Sequence, residues 1–139
     1  MRKIILAITS LLLVCGVYSQ NVVNEDFSEL IKRGNKVFLD IDKESKTGEY
    51  IIQEFQKWGY WTVVEDVRDA QFKIQFHIAT LETGDRRLAE GYGEIMTLDN
   101  KVIKTSKKYK GYAAALNGFN SFKEVSKGII NKFFKKEFK

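Results

Sequence analysis

Two aspartates that follow an apolar segment are the residues of this sequence best placed to do chemistry. Asp40 and Asp42 end residues 36–42, a segment whose centre is made of Val, Phe, Leu and Ile. Two carboxylates at the end of a buried strand can bind a divalent cation or act as acid and base. A strand that simply ends in solvated carboxylates explains the same pattern, and we favour that interpretation.

The aspartate pair resembles the first motif of the haloacid-dehalogenase-type phosphatases, in which the two carboxylates serve as nucleophile and acid/base. That family usually has Thr or Val two residues after the second aspartate, and here Glu44 occupies the position. Its fold is also larger than this chain allows. A small metal-dependent hydrolase or phosphatase using Asp40 and Asp42, with His77 as a further participant, is therefore the alternative function.

The other candidate motifs of the sequence do not form a reaction centre. His77 is the only histidine, and it stands in the polar register of a strand with no second histidine or thiol available. One imidazole by itself indicates neither a zinc site nor a Ser-His-acid triad. Gly91 and Gly93 lack the third glycine of a dinucleotide loop, and we interpret them as structural. We predict no catalytic residue, no metal site and no cofactor, and we interpret His77 as a surface residue.

Charge divides the chain into an acidic and a basic part. The sequence has 23 Lys and Arg against 18 Asp and Glu, a formal net charge of +5. Residues 20–100 carry ten basic and sixteen acidic side chains, whereas residues 101–139 carry eleven lysines against Glu124 and Glu137. Such a bias marks either a solvated face or a surface for an anionic partner. Since none of the eleven is Arg, bidentate phosphate recognition is disfavoured.

The amino terminus has the pattern of a secretory signal peptide over residues 1–19. Arg2 and Lys3 precede an apolar run, and Ser19 provides a small residue for cleavage before Gln20. We therefore expect an exported protein, periplasmic or secreted. Export removes ordinary access to nucleic acid, so the expected partner is an envelope protein or an anionic polymer.

The same segment contains the only cysteine, Cys15. Lipid attachment there is the less favoured interpretation, because Val14 stands where lipoprotein signals usually have a small residue. Removal of the segment leaves residues 20–139, enough for one domain with one core. That domain ends in a lysine-rich helix.

The clearest structural pattern is an amphipathic strand. Four large apolar residues alternate with four polar ones, which places them on opposite faces of a sheet. The apolar set is Phe72, Ile74, Phe76 and Ile78, and the polar set is Gln71, Lys73, Gln75 and His77. The strand is therefore half-buried.

Two amphipathic helices flank this strand in sequence. Ile51, Phe55 and Trp58 form one stripe of a helix that begins around Thr47, and Gly59 provides its left-handed cap. A second helix is predicted from a capping box formed by Ser121 and Glu124, with an extension backward through residues 113–116. Its apolar residues recur three and four apart: Phe122, Val125, Ile129, Ile130, Phe133 and Phe134.

The remaining elements are predicted with shorter patterns. Residues 24–33 favour a short helix, and residues 36–42 and 60–64 favour strands. Residues 87–98 and 101–112 favour two strands around Asp99 and Asn100, which tolerate the positive φ of a tight turn. We predict an α+β fold, a two-layer sandwich in which a four-stranded mixed sheet carries both main helices on one face.

This order of elements resembles small exported envelope domains, such as the amino-terminal domain of TolB-like proteins and related lipoprotein domains of unknown function. In those domains a helix ending in Gly leads to a short strand, and an Ala-Asp-like turn precedes an alternating strand. Gly59 and the pair Asp69 and Ala70 occupy those places here. The resemblance covers roughly residues 36–112 and implies an interaction or assembly role at the cell envelope, without catalytic residues.

The leading hypothesis is a non-enzymatic envelope domain that binds an unknown partner through its open sheet face or its lysine-rich carboxy-terminal region. A further alternative is attachment to a membrane surface by the last helix, where apolar and basic residues are interleaved. The candidate binding residues are Tyr60, Lys73, His77, Lys107, Lys108, Lys132, Lys135 and Lys136.

The signal-peptide interpretation predicts the amino terminus of the exported protein. After expression in a secreting bacterium, the purified chain is expected to begin at Gln20 and to lack Cys15, as measured by intact mass and amino-terminal sequencing. A chain that retains Met1, or one that begins with a lipid-modified Cys15, would contradict this prediction.

Overall fold

The structure is a computed structural model that describes residues 26–83, 86–112 and 120–139. The described residues contain six strands: β1 (Lys36–Asp40), β2 (Thr62–Val64), β3 (Phe72–Thr83), β4 (Arg86–Met96), β5 (Val102–Thr105) and β6 (Tyr109–Tyr112). The helices are α1 (Lys46–Trp58), α2 (Ser121–Ile129) and α3 (Lys135–Glu137), with a π-helical segment (Ile130–Phe134) joining the last two and a short 3-10 helix (Val67–Asp69) before β3.

The strands form one mixed sheet in the order β2-β1-β3-β4-β5, and β6 also pairs with β4. β1 is parallel to both of its neighbours, whereas β3, β4, β5 and β6 pair antiparallel. The predicted α+β class with a mixed sheet and two main helices is confirmed. The predicted number of four strands is too small, because the described residues contain six.

One of the additional strands comes from a break in the segment predicted as a single strand over residues 101–112. β5 and β6 lie one after the other along the same edge of β4, with Ser106 buried between them. The Ser106 backbone N–H donates to the Gly93 carbonyl at 2.9 Å, and its Oγ accepts from the Gly93 N–H at 3.0 Å. The Ser106 side chain thus provides a hydrogen-bond partner for the Gly93 N–H group at the point where the pairing of β4 with its neighbours is interrupted.

The amphipathic strand lies at the centre of the core, as its alternation predicts. Phe72 and Ile74 are fully buried, and Phe76 and Ile78 pack partly buried against the same cluster. Across the sheet, Ile74 lies opposite Leu39 of β1 and Ile95 of β4. These three side chains have at most 1% exposure, so the central row of the sheet is closed to water.

The first helix begins and ends close to where the sequence predicts. Ser45 accepts a hydrogen bond from the Gly48 N–H at 3.0 Å, and Gly59 has φ of 63° and donates to the Phe55 carbonyl at 3.0 Å. Ile51 and Phe55 are buried. A glycine adopts this left-handed conformation without the steric cost of a Cβ atom.

The second helix is capped one residue earlier than predicted. Oδ1 of Asn120 accepts from the backbone N–H groups of Phe122 and Lys123, at 3.0 and 3.3 Å, so the capping residue is Asn120 and not Ser121. Ser121 is instead buried. The predicted extension through residues 113–116 lies outside the described residues.

The short amino-terminal helix predicted for residues 24–33 is wrong in its described part. Residues 28–31 form a turn, in which the Phe27 carbonyl accepts from the N–H groups of Leu30 and Ile31 at 3.0 and 3.2 Å. The turn does not continue as a helix because the carbonyl groups of Glu29 and Leu30 are bound by a side chain. Nδ2 of Asn35 donates a hydrogen bond to each of them. A side chain therefore replaces the next helical hydrogen bonds.

The start of α1 provides a test of packing. A Cβ atom on Gly48 would lie 1.9 Å from the Asp42 carbonyl oxygen. Gly→Ala in a helix normally stabilises by about 1 kcal/mol, but here the contact reverses the sign, and we expect Gly48→Ala to lower the free energy of unfolding by about 2 kcal/mol. Urea denaturation measures this change.

The exposed neighbour on the same helix provides the control. We expect Glu49→Ala to change the free energy of unfolding by less than about 0.5 kcal/mol. A Gly48→Ala chain as stable as the wild type would contradict the close contact between the start of α1 and the Asp42 carbonyl oxygen.

Candidate functional site

The sheet face opposite the helices, here called the open face, carries polar residues that bind one another. Nζ of Lys73 donates to Oδ1 of Asn100 at 2.6 Å and lies 3.8 Å from Oδ2 of Asp40. The Lys73 side chain is only 13% exposed. This predicted binding residue is therefore held by two partners within the protein.

His77 lies further along the same face in a similar arrangement. Its Nε2 lies 2.9 Å from Oε2 of Glu94, and its ring stacks on Tyr92 with centroids 4.7 Å apart. The other carboxylate oxygen of Glu94 accepts from Oγ1 of Thr105 at 3.2 Å. His77 is half-buried, and its surroundings position an imidazole, but among the described residues no group of three metal-ligating side chains includes it.

The open face ends in a third group of paired charges. Glu90 lies 3.2 Å from Nζ of Lys108 and 3.9 Å from Nζ of Lys110. Lys107 is not part of this group, because its Nζ lies 5.5 Å from the centre of the Tyr109 ring, which packs against Gly128 on the helix side of the sheet. Acidic and basic groups thus alternate along the open face, and most of its charge is neutralised locally.

The two aspartates of the hydrolase alternative do not share a cleft. Asp40 lies on the open face beside Lys73, whereas Oδ1 of Asp42 accepts from the Glu44 N–H at 3.2 Å. Asp42 lines a cavity of about 350 Å³ between the amino-terminal ends of α1 and α2. Across the part of the chain that the structure describes, no three His, Cys, Asp or Glu side chains could hold a metal ion. The geometry that this alternative requires is absent there.

The last helix has no apolar face to offer to a membrane. Phe133, Phe134 and Phe138 are 7%, 0% and 9% exposed because they pack in the core. The predicted membrane attachment through this helix is therefore wrong. None of the described helices is long and apolar enough to cross a membrane.

Two of the predicted lysines on this helix differ in their surroundings. Nζ of Lys135 donates to Oε2 of Glu54 on α1 at 3.0 Å, and its side chain is 28% exposed. Lys136 is exposed. Lys135 therefore links the two helices, and Lys136 faces solvent.

Tyr60 belongs to an aromatic cluster at the end of α1. Its ring lies 5.2 Å from both Trp58 and Trp61 and 5.8 Å from Phe138, measured between centroids. The Arg33 guanidinium lies 5.8 Å from the same ring. Tyr60 is half-buried, so much of its surface already serves packing.

A groove between β6 and α2, here called the lysine groove, has a different composition. Its volume is about 380 Å³. It is lined by Tyr109, Lys110, Gly111 and Tyr112 of β6, and by Glu124, Lys127, Gly128, Asn131 and Lys132 of the second helix and its π-helical continuation. Three lysines thus face one carboxylate.

Two glycines bring the walls of the lysine groove together. A Cβ atom on Gly111 would lie 2.3 Å from the Ser121 carbonyl oxygen, and one on Gly128 would lie 3.2 Å from the Tyr109 ring. Because neither residue has a side chain, α2 lies directly against β6. The lysines beside these contacts therefore extend from a backbone that is fixed by close packing.

The lysines of the groove have few partners within the protein. Lys127 and Lys132 are exposed and form no ion pair within the described residues, and Lys110 lies 3.9 Å from Glu90. Lys132 was among the predicted binding residues, whereas Lys110 and Lys127 were missed. The positions 124, 127, 128, 131 and 132 recur three and four apart, which is the sequence signal that could have found them.

Comparisons with known proteins identify a similar fold. Neither a protein-family model nor a curated protein matches the chain. A single-residue variant of the PelC dodecamer from Paraburkholderia phytofirmans is similar with a TM-score of 0.50 and 10% identity, over 71% of this chain and 87% of that chain.

Two bacterial lipoproteins are also among the structural neighbours. Uncharacterized lipoprotein B from Nitrosomonas europaea has a TM-score of 0.45 and 11% identity, over 77% of this chain and 76% of that chain. A minor lipoprotein from Acinetobacter baumannii has a TM-score of 0.45 and 11% identity, over 74% of this chain and 94% of that chain. At 10% identity, the likeness to PelC shows the fold alone. The likeness to TolB-like domains stays a prediction.

The contact between β5 and α3 predicts a pH-dependent pairing. Nζ of Lys104 donates to Oε2 of Glu137 at 2.6 Å, and this bond lowers the pKa of Glu137 below its ordinary value. Since the folded pKa lies below the unfolded one, the stabilisation is complete above the unfolded pKa and is lost as pH falls through the folded pKa. We expect Lys104→Met to raise the pKa of Glu137, as measured by NMR titration of its carboxyl carbon.

Lys123→Met provides the control, because Lys123 is exposed on α2 and does not contribute to the lowered pKa of Glu137. An unchanged Glu137 titration in the Lys104→Met chain would rule out the pairing in solution.

Proposed function

We propose that the protein is an exported, non-enzymatic domain of the bacterial cell envelope that binds an anionic component through its lysine-rich carboxy-terminal region. The observation that carries this proposal is the lysine groove, where Lys110, Lys127 and Lys132 surround a concave surface. Cationic side chains at a concave surface concentrate anions near it and raise the rate of association.

The placement in the envelope is supported by two features of the sequence. Residues 1–19 have the pattern of a secretory signal. The sequence also resembles exported envelope domains around Gly59 and Asp69. The resemblance supplies no partner, so the chemistry of the partner is inferred from the charges of this chain.

The distribution of ion pairs favours the lysine groove over the open face as the binding surface. Lys73 and Lys108 have carboxylates within 3.8 and 3.2 Å, so an anion that binds them competes with Asp40 and Glu90. Lys127 and Lys132 form no ion pair among the described residues, and Glu124 is the one carboxylate that lines their groove. An incoming anion therefore gains their charge without breaking an existing pair.

This proposal predicts measurable binding of simple polyanions. We expect the protein to bind fluorescent polyglutamate and a polyuronate oligosaccharide, with affinity that falls as salt is added. The double variant Lys127→Glu and Lys132→Glu is expected to lower the affinity for each polyanion by about tenfold. Fluorescence anisotropy measures the affinities.

The control reverses two exposed lysines on α1, Lys46→Glu and Lys57→Glu, so the change in net charge is identical. Equal losses in both double variants would indicate attraction by net charge alone and would contradict a specific groove. No binding of either polyanion by the wild type would remove the proposed function.

A further inference from the structure

We propose that the lysine groove accepts an extended acidic polypeptide segment, which pairs as an additional strand with the outer edge of β6. This inference rests on the proposed function and specifies its partner. The observation behind it is the juxtaposition of a strand edge and a row of lysines along one groove.

The first step is the free edge of β6. Within the described residues, β6 pairs with β4 alone, through Leu88↔Tyr112 to Gly91↔Tyr109. A strand that pairs on one side presents backbone N–H and C=O groups on the other, and these groups can bind an extended chain. Polar backbone groups at an edge thus supply sequence-independent hydrogen bonds.

The second step is the position of the groove relative to this edge. All four residues of β6 line it, although Tyr109 and Gly111 are buried toward the helix while Lys110 and Tyr112 are exposed. A groove that contacts both faces of one strand lies along the edge of that strand. A segment bound there is aligned for backbone pairing.

The third step is the opposite wall. Lys127 of α2 lines the groove with Asn131 and Lys132 of the π-helical continuation, beside the single carboxylate of Glu124. Alternate side chains of an added strand point to the same face, so one set of its side chains would face these residues. Carboxylates in that set would meet two ammonium groups and an amide.

Charge also decides between an acidic segment and a second copy of this chain. Pairing of two β6 edges would bring Lys108 and Lys110 of each copy together, and lysines on edge strands oppose such self-association. The same lysines attract a segment that carries Glu or Asp. Repulsion of one partner and attraction of the other together define specificity.

The experiment uses the chain as purified from the expressing bacterium and a fluorescent peptide in which Val and Glu alternate. Two further peptides carry methyl groups on the backbone nitrogens of either the Val or the Glu residues. In an extended chain, these two sets of N–H groups lie on opposite edges. All three peptides have the same charge.

We expect one methylated peptide to lose about tenfold in affinity and the other to bind like the parent, because strand addition uses the N–H groups of one edge. The double variant Lys127→Glu and Lys132→Glu is expected to bind the parent peptide more weakly than the wild type does. The matched double variant on α1, Lys46→Glu and Lys57→Glu, is expected to bind it as the wild type does. In NMR spectra, the amide signals of Tyr109–Tyr112 are expected to shift upon binding.

Other results distinguish this inference from the proposed function. If both methylated peptides and a polyuronate bind as tightly as the parent peptide, the groove binds anions without strand pairing, and only this inference is overturned. If the polyuronate binds and no peptide does, the partner is a polysaccharide and the inference is again overturned. If nothing binds, both proposals fail.

Discussion

Contact between Phe134 and the aromatic residues of the amino-terminal half is the interaction on which the rest of the fold depends. The Phe134 ring lies 5.2 Å from Phe55 of α1 and 6.2 Å from Trp61, measured between centroids. All three side chains are at most 2% exposed. Because Phe134 is near the carboxyl terminus, this contact closes the second helix over the sheet and joins the two ends of the domain around β3.

Fixing the apolar side of the second helix also fixes where its polar side lies. Ile129, Ile130 and Phe133 face the core, and a π-helical segment begins at Ile130. In a regular α-helix, residues five apart differ by roughly 140° in direction. The wider π turn brings such residues closer in direction, and Lys127 and Lys132 both line the groove beside β6. The surface proposed for binding is thus a consequence of how the core is packed.

The sequence predicts those features that depend on local periodicity and misses those that depend on distant partners. Alternation in β3 and the position of Gly59 are local, and both are confirmed. The break at Ser106 depends on hydrogen bonds with Gly93, and the lysine groove depends on the close approach of Gly111 to α2. These contacts join residues ten or more positions apart, so the spacing of the lysines along the helix does not show that this side lies against β6. Of the predicted binding residues, Lys132 alone lines the groove.

The surroundings of the lysines separate those that serve the fold from those that are available to a partner. Lys135 lies 3.0 Å from Glu54 and connects the two helices, and Lys73 is enclosed by Asp40 and Asn100. Removing a partly buried charge of this kind leaves its partner unpaired and destabilises the protein. Exposed lysines without an ion pair, such as Lys127, contribute little to stability. Substitution of Lys127 therefore changes the binding surface while the core stays intact, so a loss of binding in that variant reports on recognition and not on folding.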